Sequence, residues 1–369
     1  MITVNTPLVA KNAQKYVSDC IKSGWLSSAG SYIDKFEKNF ADFVKVKYAV
    51  TTTNGTASLH LAMTALEIGP GDEVIVPDLT IISCALAVIY TGAKPVLVDV
   101  EKDTGNIDPK KIEDKITKKT KAIMVVHLYG HPANMDPILS LAKKYNLKII
   151  EDAAEAHGAE YKGKIVGGLG TVGCFSFYGN KIITTGEGGM LVTNDETLYK
   201  RAKLLKDLAH SPKRRFVHEK IGFNYRLTNI QAALGTAQLE EVSSYIEKKR
   251  NMAKLYIEGL KDIPEIELPK EMNYAKSVYW MFPILVSKNC PITRDQFREK
   301  LKNLGVDTRD FFYPLHDQPV LLNLGLFKNE KYPVTTDLSK RGFYIPSGLA
   351  LTKKEITQVI KAIKIAINK

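Results

Sequence analysis

Short apolar runs alternate, along the first half of this chain, with longer stretches whose apolar positions recur at helical spacing. The runs at 48–52, 73–77, 95–100, 122–126, 148–151, 172–177 and 190–193 are continuous, the pattern of strands buried on both faces. Between them, 56–66, 108–116, 135–145 and 195–207 read as helices, preceded by amphipathic helices at 11–23 and 33–44. In the second of these, Ile33, Phe36, Phe40 and Phe43 fall at helical spacing. Such alternation predicts an α/β fold with a mainly parallel sheet covered on both faces. A long helical pattern without proline, from about 228 to 260, leads out of this unit. Beyond it lie a strand at 281–286, a helix at 293–304 and a last helix opened by the capping box Thr352-x-x-Glu355. That helix is expected to bury Ile356, Val359, Ile360, Ile363 and Ile367. The 369 residues exceed what one compact core usually takes, so two domains are expected, at 1–245 and 246–369.

Composition changes this picture little. Hydrophobic residues make up 44% and charged residues 25%, ordinary for a soluble globular protein. The net charge of +12 permits an anionic ligand such as a nucleotide. The basic residues are dispersed, and the densest run, Lys213-Arg214-Arg215, is too short for a nucleic-acid arm, so no nucleic-acid partner is expected. Cys20, Cys84, Cys174 and Cys290 lie far apart without a CxxC pair, which suggests reduced thiols in a cytoplasmic protein and no zinc ribbon. The N-terminus lacks a basic region followed by an apolar core, and no apolar stretch approaches a membrane span, so neither a signal peptide nor a membrane partner is expected.

Chemistry is sought beyond the carboxyl ends of the strands, where open sheets of this kind bind ligands. Lys181 follows Phe175-Ser176-Phe177-Tyr178-Gly179-Asn180 and precedes Ile182-Ile183-Thr184-Thr185-Gly186. A lysine with few charged neighbours loses part of its charge on burial and becomes nucleophilic, the chemistry of a Schiff base with pyridoxal phosphate (PLP). Alone, a snorkelling or anion-pairing lysine explains it better. The strand at 148–151 ends in Glu151-Asp152, and an ionised carboxylate there would keep a pyridine nitrogen protonated; a turn-capping Asp is the plainer explanation until Lys181 is set beside it. Asn54-Gly55-Thr56-Ala57 follows the first strand and opens a helix, which suits either a phosphate site or an ordinary N-cap. Ser176 offers a second hydroxyl to a phosphate. Gly168-Leu169-Gly170-Thr171-Val172-Gly173 matches GxGxxG but precedes a strand, so a turn is expected and not a dinucleotide site. His127 and His131 have the spacing of helix-borne ligands, but Gly130 and Pro132 break any helix there, and no metal site is expected.

Taken together, these segments resemble the sugar-nucleotide aminotransferases, PLP-dependent enzymes of fold type I, the aspartate aminotransferase fold. The resemblance covers nearly the whole chain. It is carried by Asn54-Gly55-Thr56-Ala57, Gly69-Pro70-Gly71-Asp72-Glu73-Val74-Ile75, Glu151-Asp152-Ala153-Ala154-Glu155-Ala156-His157-Gly158, the segment 175–189, and Gly222-Phe223-Asn224-Tyr225-Arg226-Leu227-Thr228-Asn229-Ile230-Gln231-Ala232-Ala233. It implies a large domain with a seven-stranded, mainly parallel sheet and a smaller C-terminal α+β domain. It further implies that Lys181 carries PLP, Asp152 pairs with the pyridinium nitrogen, and Glu155 sits near the ring hydroxyl. Gly55, Thr56, Ala57 and Ser176 would hold the phosphate, with Asn224 reaching it from the partner of a homodimer. The family usually stacks an aromatic residue on the ring where this chain has Ile81. A dehydratase branch replaces the lysine by His, whereas this chain keeps Lys181.

The reaction implied moves the amino group of L-glutamate, by way of pyridoxamine phosphate, to C4 of a 4-keto-6-deoxy sugar nucleotide. The stretches His127-Leu128-Tyr129-Gly130 and Val278-Tyr279-Trp280-Met281 favour GDP-4-keto-6-deoxy-D-mannose within the family. A UDP- or dTDP-linked keto sugar is the alternative, and Trp25, Ser27, Tyr313 and His316 are the expected substrate contacts. A non-catalytic regulatory protein on the same fold is the reading from another class.

Overall fold

Seven strands form the central sheet of the computed structural model, which describes residues 1–211, 213–214 and 216–367. Their order across the sheet is Tyr48–Thr52, Gly189–Thr193, Val172–Ser176, Lys148–Asp152, Thr120–Val126, Glu73–Pro77, Lys94–Val98. Only Gly189–Thr193 runs against its neighbours; the other pairings are parallel. Every residue of Val172–Ser176 and Gly189–Thr193 is buried, which is why these strands read as unbroken apolar runs. The helix Gly55–Ala65 packs on one face of the sheet with Leu59, Leu61 and Met63. Phe36 and Phe40 of Ser31–Val44 pack on the other, against Phe175 and Phe177. Fold class and sheet are as expected from the sequence.

A second, antiparallel sheet is built from Ile266–Glu267, Phe282–Val286, Gly342–Ile345 and Arg309–Asp310, in that spatial order. It shares an apolar core with Tyr256, Phe297 and the last helix, Lys353–Ile367. The capping box is present: Thr352 N–H donates to Glu355 at 2.8 Å, and Glu355 N–H donates to the Thr352 hydroxyl at 3.3 Å. Ile360 is only partly buried, seated over Gly259, where a Cβ would lie 2.6 Å from it.

Other differences are local. The helix expected at 108–116 is two single turns, Pro109–Lys111 and Glu113–Lys115. Pro109 and Ile112 are buried there, and the Lys111 amine reaches the buried Asp99 carboxylate at 2.9 Å, so single turns satisfy the segment. The pattern at 228–260 breaks at Glu241 into Asn229–Glu240 and Val242–Leu260. Ser83–Tyr90 is a helix that the pattern did not single out. Arg215 of the basic run lies outside the described residues.

Candidate active site

A cavity of about 620 Å³ opens at the carboxyl ends of the parallel strands, and the second sheet supplies its far wall through Phe312 and Tyr344. Its floor is the start of Gly55–Ala65. The Asn54 side chain caps that helix by accepting the Ala57 N–H at 2.8 Å. The first amides of a helix have no intrahelical acceptor. Ala57's is therefore taken, and those of Gly55 and Thr56 are the donors left for an anion. A Cβ on Gly55 would stand 2.9 Å from the Ser176 Cβ, so only glycine lets helix and strand approach this closely. The Thr56 hydroxyl is within hydrogen-bond reach of Ser83, at 2.9 Å.

Asp152 ends its strand at the cavity wall, 4% exposed. One carboxylate oxygen accepts the Ala154 N–H at 3.0 Å and the other the Cys84 thiol at 3.1 Å. Lys181 stands within the same cavity with Nζ 3.8 Å from Glu155 and 3.7 Å from the centre of the Trp280 ring. Burial lowers the Lys181 pKa, opposed by the charges of Glu155 and Asp152. Burial likewise raises Glu155, to about 7, although Lys181 and the Tyr129 N–H bond both favour its ionised form. A lysine whose charged form is disfavoured by burial, in reach of an acid, is suited to nucleophilic attack and to proton transfer. The arrangement answers what a pyridine aldehyde phosphate needs: an amine, a carboxylate and an anion cradle around one cavity. The buried, unpartnered Asn180 Oδ1 also lines it.

Gly55, Thr56, Ala57, Ile81, Asp152, Glu155, Ser176 and Lys181 all line this cavity. Asn224, Trp25, Ser27, Tyr313 and His316 do not. Trp25 and Tyr313 are exposed, at 58% and 56%. The Asn224 side chain accepts a hydrogen bond from Arg226. His316 is buried, with Nδ1 2.6 Å from Asp78 and its backbone N–H also on Asp78. An imidazole held this way does not reach the cavity, and Phe312, nearby in sequence, lines it instead. The sequence reading missed Trp280, Asn180, Tyr344, and His60, whose Nδ1 is 2.9 Å from the Tyr225 hydroxyl. Trp280 and Asn180 stand in or beside stretches that carry the family resemblance, which was their available signal.

Behind the strand ends, the glycine-rich turn wraps a buried carboxylate. The N–H groups of Gly167, Leu169 and Gly170 donate to Glu151, which also meets His127 at 3.0 Å. His131 accepts the Met272 N–H, so both histidines are engaged in packing the loops. His157 lies among Phe40, Phe175 and Phe177, and neither ring nitrogen has a hydrogen-bond partner among the described residues. Burial, and then the Lys181 charge, push its pKa down to about 3. As pH falls below the ordinary 6.5, the unfolded chain therefore takes up this proton first. The stability due to the neutral ring is complete above pH 6.5 and is lost as pH falls toward about 3. At pH 5 the loss is about 2 kcal/mol. His157→Phe is expected to lose about 2 kcal/mol less than the parent between pH 7 and pH 5 in urea unfolding; equal losses would show that the ring is not held neutral.

Three comparisons bear on this site. Residues 7–364 match the model of the DegT/DnrJ/EryC1/StrS aminotransferase family. The chain is 45% identical to GDP-perosamine synthase of Escherichia coli O157:H7, over 98% of this chain and 97% of that protein. It is 44% identical to GDP-perosamine synthase of Caulobacter vibrioides, again over 98% and 97%. The structure of an aminotransferase from Psychrobacter cryohalolentis superposes with a TM-score of 0.91 at 35% identity, covering 98% of this chain and 99% of that one. Structural neighbours include PLP and pyridoxamine phosphate forms.

Proposed function

This chain belongs to the DegT/DnrJ/EryC1/StrS aminotransferase family, and we propose that it makes GDP-perosamine, moving the amino group of L-glutamate to C4 of GDP-4-keto-6-deoxy-D-mannose. It is a PLP-dependent sugar-nucleotide aminotransferase. The likeness to two GDP-perosamine synthases along almost the whole chain carries the narrower reading.

Bound in the cavity, PLP supplies an electron sink for the carbanion that forms at the donor's α-carbon. We assign Lys181 to anchoring it, to taking the proton from that carbon, and to delivering a proton to C4 of the sugar in the second half-reaction. Asp152, its two oxygens each oriented by a donor, is assigned to the ring nitrogen. Glu155 is assigned to the ring hydroxyl, Ile81 to the ring face, and Gly55, Thr56 and Ser176 to the phosphate, with Ala57 lining the cavity beside them while its N–H caps on Asn54. The substitution of Ile81 for an aromatic residue trades stacking for apolar contact.

We assign the active unit to a homodimer in which Asn224 of the partner completes the phosphate site. The exposed Ile81, Tyr90 and Tyr178 beside the cavity support it, since apolar surface at a site's rim marks a docking face. Trp25, Ser27 and Tyr313 are assigned to the nucleotide sugar, met when partner or substrate closes over the rim. The separate apolar core around Tyr256 and Phe297 supports a division into 1–245 and 246–369; hydrogen exchange that opens both cores in one step would reject it. No described helix is long and apolar enough to cross a membrane. Four free cysteines suit a cytoplasmic enzyme, which recovery of the native protein in a membrane or extracellular fraction would reject.

The test is a substrate panel. The purified enzyme, charged with glutamate, is offered GDP-, UDP- and dTDP-linked 4-keto-6-deoxy sugars, and the product is identified by mass and NMR. GDP-perosamine formed with kcat/KM at least about tenfold above the others is expected, the scale of one good discriminating contact. Preference for a UDP or dTDP sugar would overturn the choice of carrier. Light scattering on the same sample should give twice the 41.1 kDa chain mass; an active monomer would overturn the shared site.

A further inference from the structure

The chain buries a lysine that the chemistry above does not use. Lys249, in the helix Val242–Leu260, is 2% exposed. Both its partners are backbone carbonyls, that of Trp280 at 2.7 Å and that of Ser347. Burial pushes its pKa down to about 7, and a neutral amine has two N–H donors, matching the two carbonyls. Another buried lysine, Lys206, is neutralised by Glu37 at 2.9 Å. Burying an amine against carbonyls alone is unfavourable unless it is fully hydrogen-bonded, so the groups it holds identify its role.

One of those groups is the backbone of the residue that touches Lys181. The Trp280 ring lies 3.7 Å from the Lys181 Nζ. Its indole N–H donates at 2.8 Å to the carbonyl of Asn180, the peptide directly before Lys181. Trp280 thus grips the lysine at its tip and at its backbone. The preceding residue, Tyr279, has φ of 47°, a conformation that a bulky side chain adopts only when its surroundings impose it. The Val278 N–H on the Gly130 carbonyl holds one side of that bend, and Lys249 holds the other.

We propose that Lys249 is a positioning residue for amino transfer: it fixes Trp280, and Trp280 fixes where the Lys181 amine stands. The inference rests on Lys181 being the lysine that serves the cofactor.

The test reads Trp280 directly. In a Trp25→Phe background, used for fluorescence only, Trp280 is the remaining indole. Lys249→Met removes the donors and keeps an apolar chain of similar length. Its expected signature is a red-shifted Trp280 emission and stronger acrylamide quenching, with and without cofactor. In the Trp25-containing enzyme kcat should fall about 10- to 100-fold with KM for glutamate nearly unchanged, the scale of a small misplacement at a reacting group. Lys249→Met with parental Trp280 emission, or with parental kcat, overturns the proposal. Trp280→Phe keeps the carbonyl that Lys249 holds but removes the indole link, so it covers the case in which Lys249→Met does not fold. A parental kcat in Trp280→Phe also overturns it. The emission readout needs no turnover, so a failure here is separable from a failure of Lys181→Ala to stop the reaction.

Discussion

Lys181→Ala is expected to abolish amino transfer, with a loss of at least about a thousandfold in the glutamate half-reaction. Two roles disappear together. The amine proposed to anchor the cofactor is gone, and so is the group proposed to move the proton, a function worth roughly 10²- to 10⁴-fold by itself. Packing should survive, because the side chain reaches into a cavity and its removal leaves no void in the core. Formation of 2-oxoglutarate in a single turnover, with glutamate in excess, gives the comparison. Activity within tenfold of the parent would mean that another base performs the transfer. Glu155, 3.8 Å away, would then be the candidate.

Asp152→Asn is expected to lower kcat by about 10²- to 10³-fold, the scale of removing one preorganised charge from a water-excluded site. The substitution is nearly isosteric, and the Ala154 N–H can still find an oxygen. What is lost is the negative charge proposed to keep a ring nitrogen protonated. The Cys84 thiol, buried and with its pKa raised by burial and then by Asp152, stays neutral and cannot supply it. The cofactor should still bind, through Lys181 and the phosphate cradle. A reduction of less than tenfold with cofactor bound would show that another group protonates the ring.

Much of this site was legible along the chain because each part sits beside its own element. Asn54-Gly55-Thr56 follows a strand and opens a helix, and an N-cap followed by glycine reads the same in any context. Asp152 was legible as the polar end of an apolar strand, and Lys181 as a charge in an uncharged neighbourhood. The GxGxxG match was separable from a dinucleotide site by the strand after it, and the structure shows that turn donating three N–H groups to Glu151. Tyr344 was not legible, and Trp280 stood only within the stretch 278–281 without a place in the site. Each lies in the C-terminal third of the chain and meets the cavity only where the second sheet docks, a contact with no local sequence pattern. The pairing of His316 was hidden for the same reason: Asp78, 238 residues away in sequence, takes the imidazole.

Local order thus determined the strands, the caps and the apolar faces, since period and capping act over a few residues. It also pointed to a mainly parallel sheet covered on both faces, because continuous apolar strands must bury both sides, whereas the order of the seven strands was set by tertiary pairing. The fate of each lysine was settled by folding alone. Lys181, Lys206 and Lys249 are all largely buried; the uncharged segment around Lys181 sets it apart along the chain, but nothing in the charge-rich segments around Lys206 and Lys249 marks them as buried. One faces a cavity beside Glu155, one is cancelled by Glu37, and one holds the carbonyls of Trp280 and Ser347. The state of a buried charge depends on what lies within a few ångströms of it, and those neighbours come from distant parts of the chain.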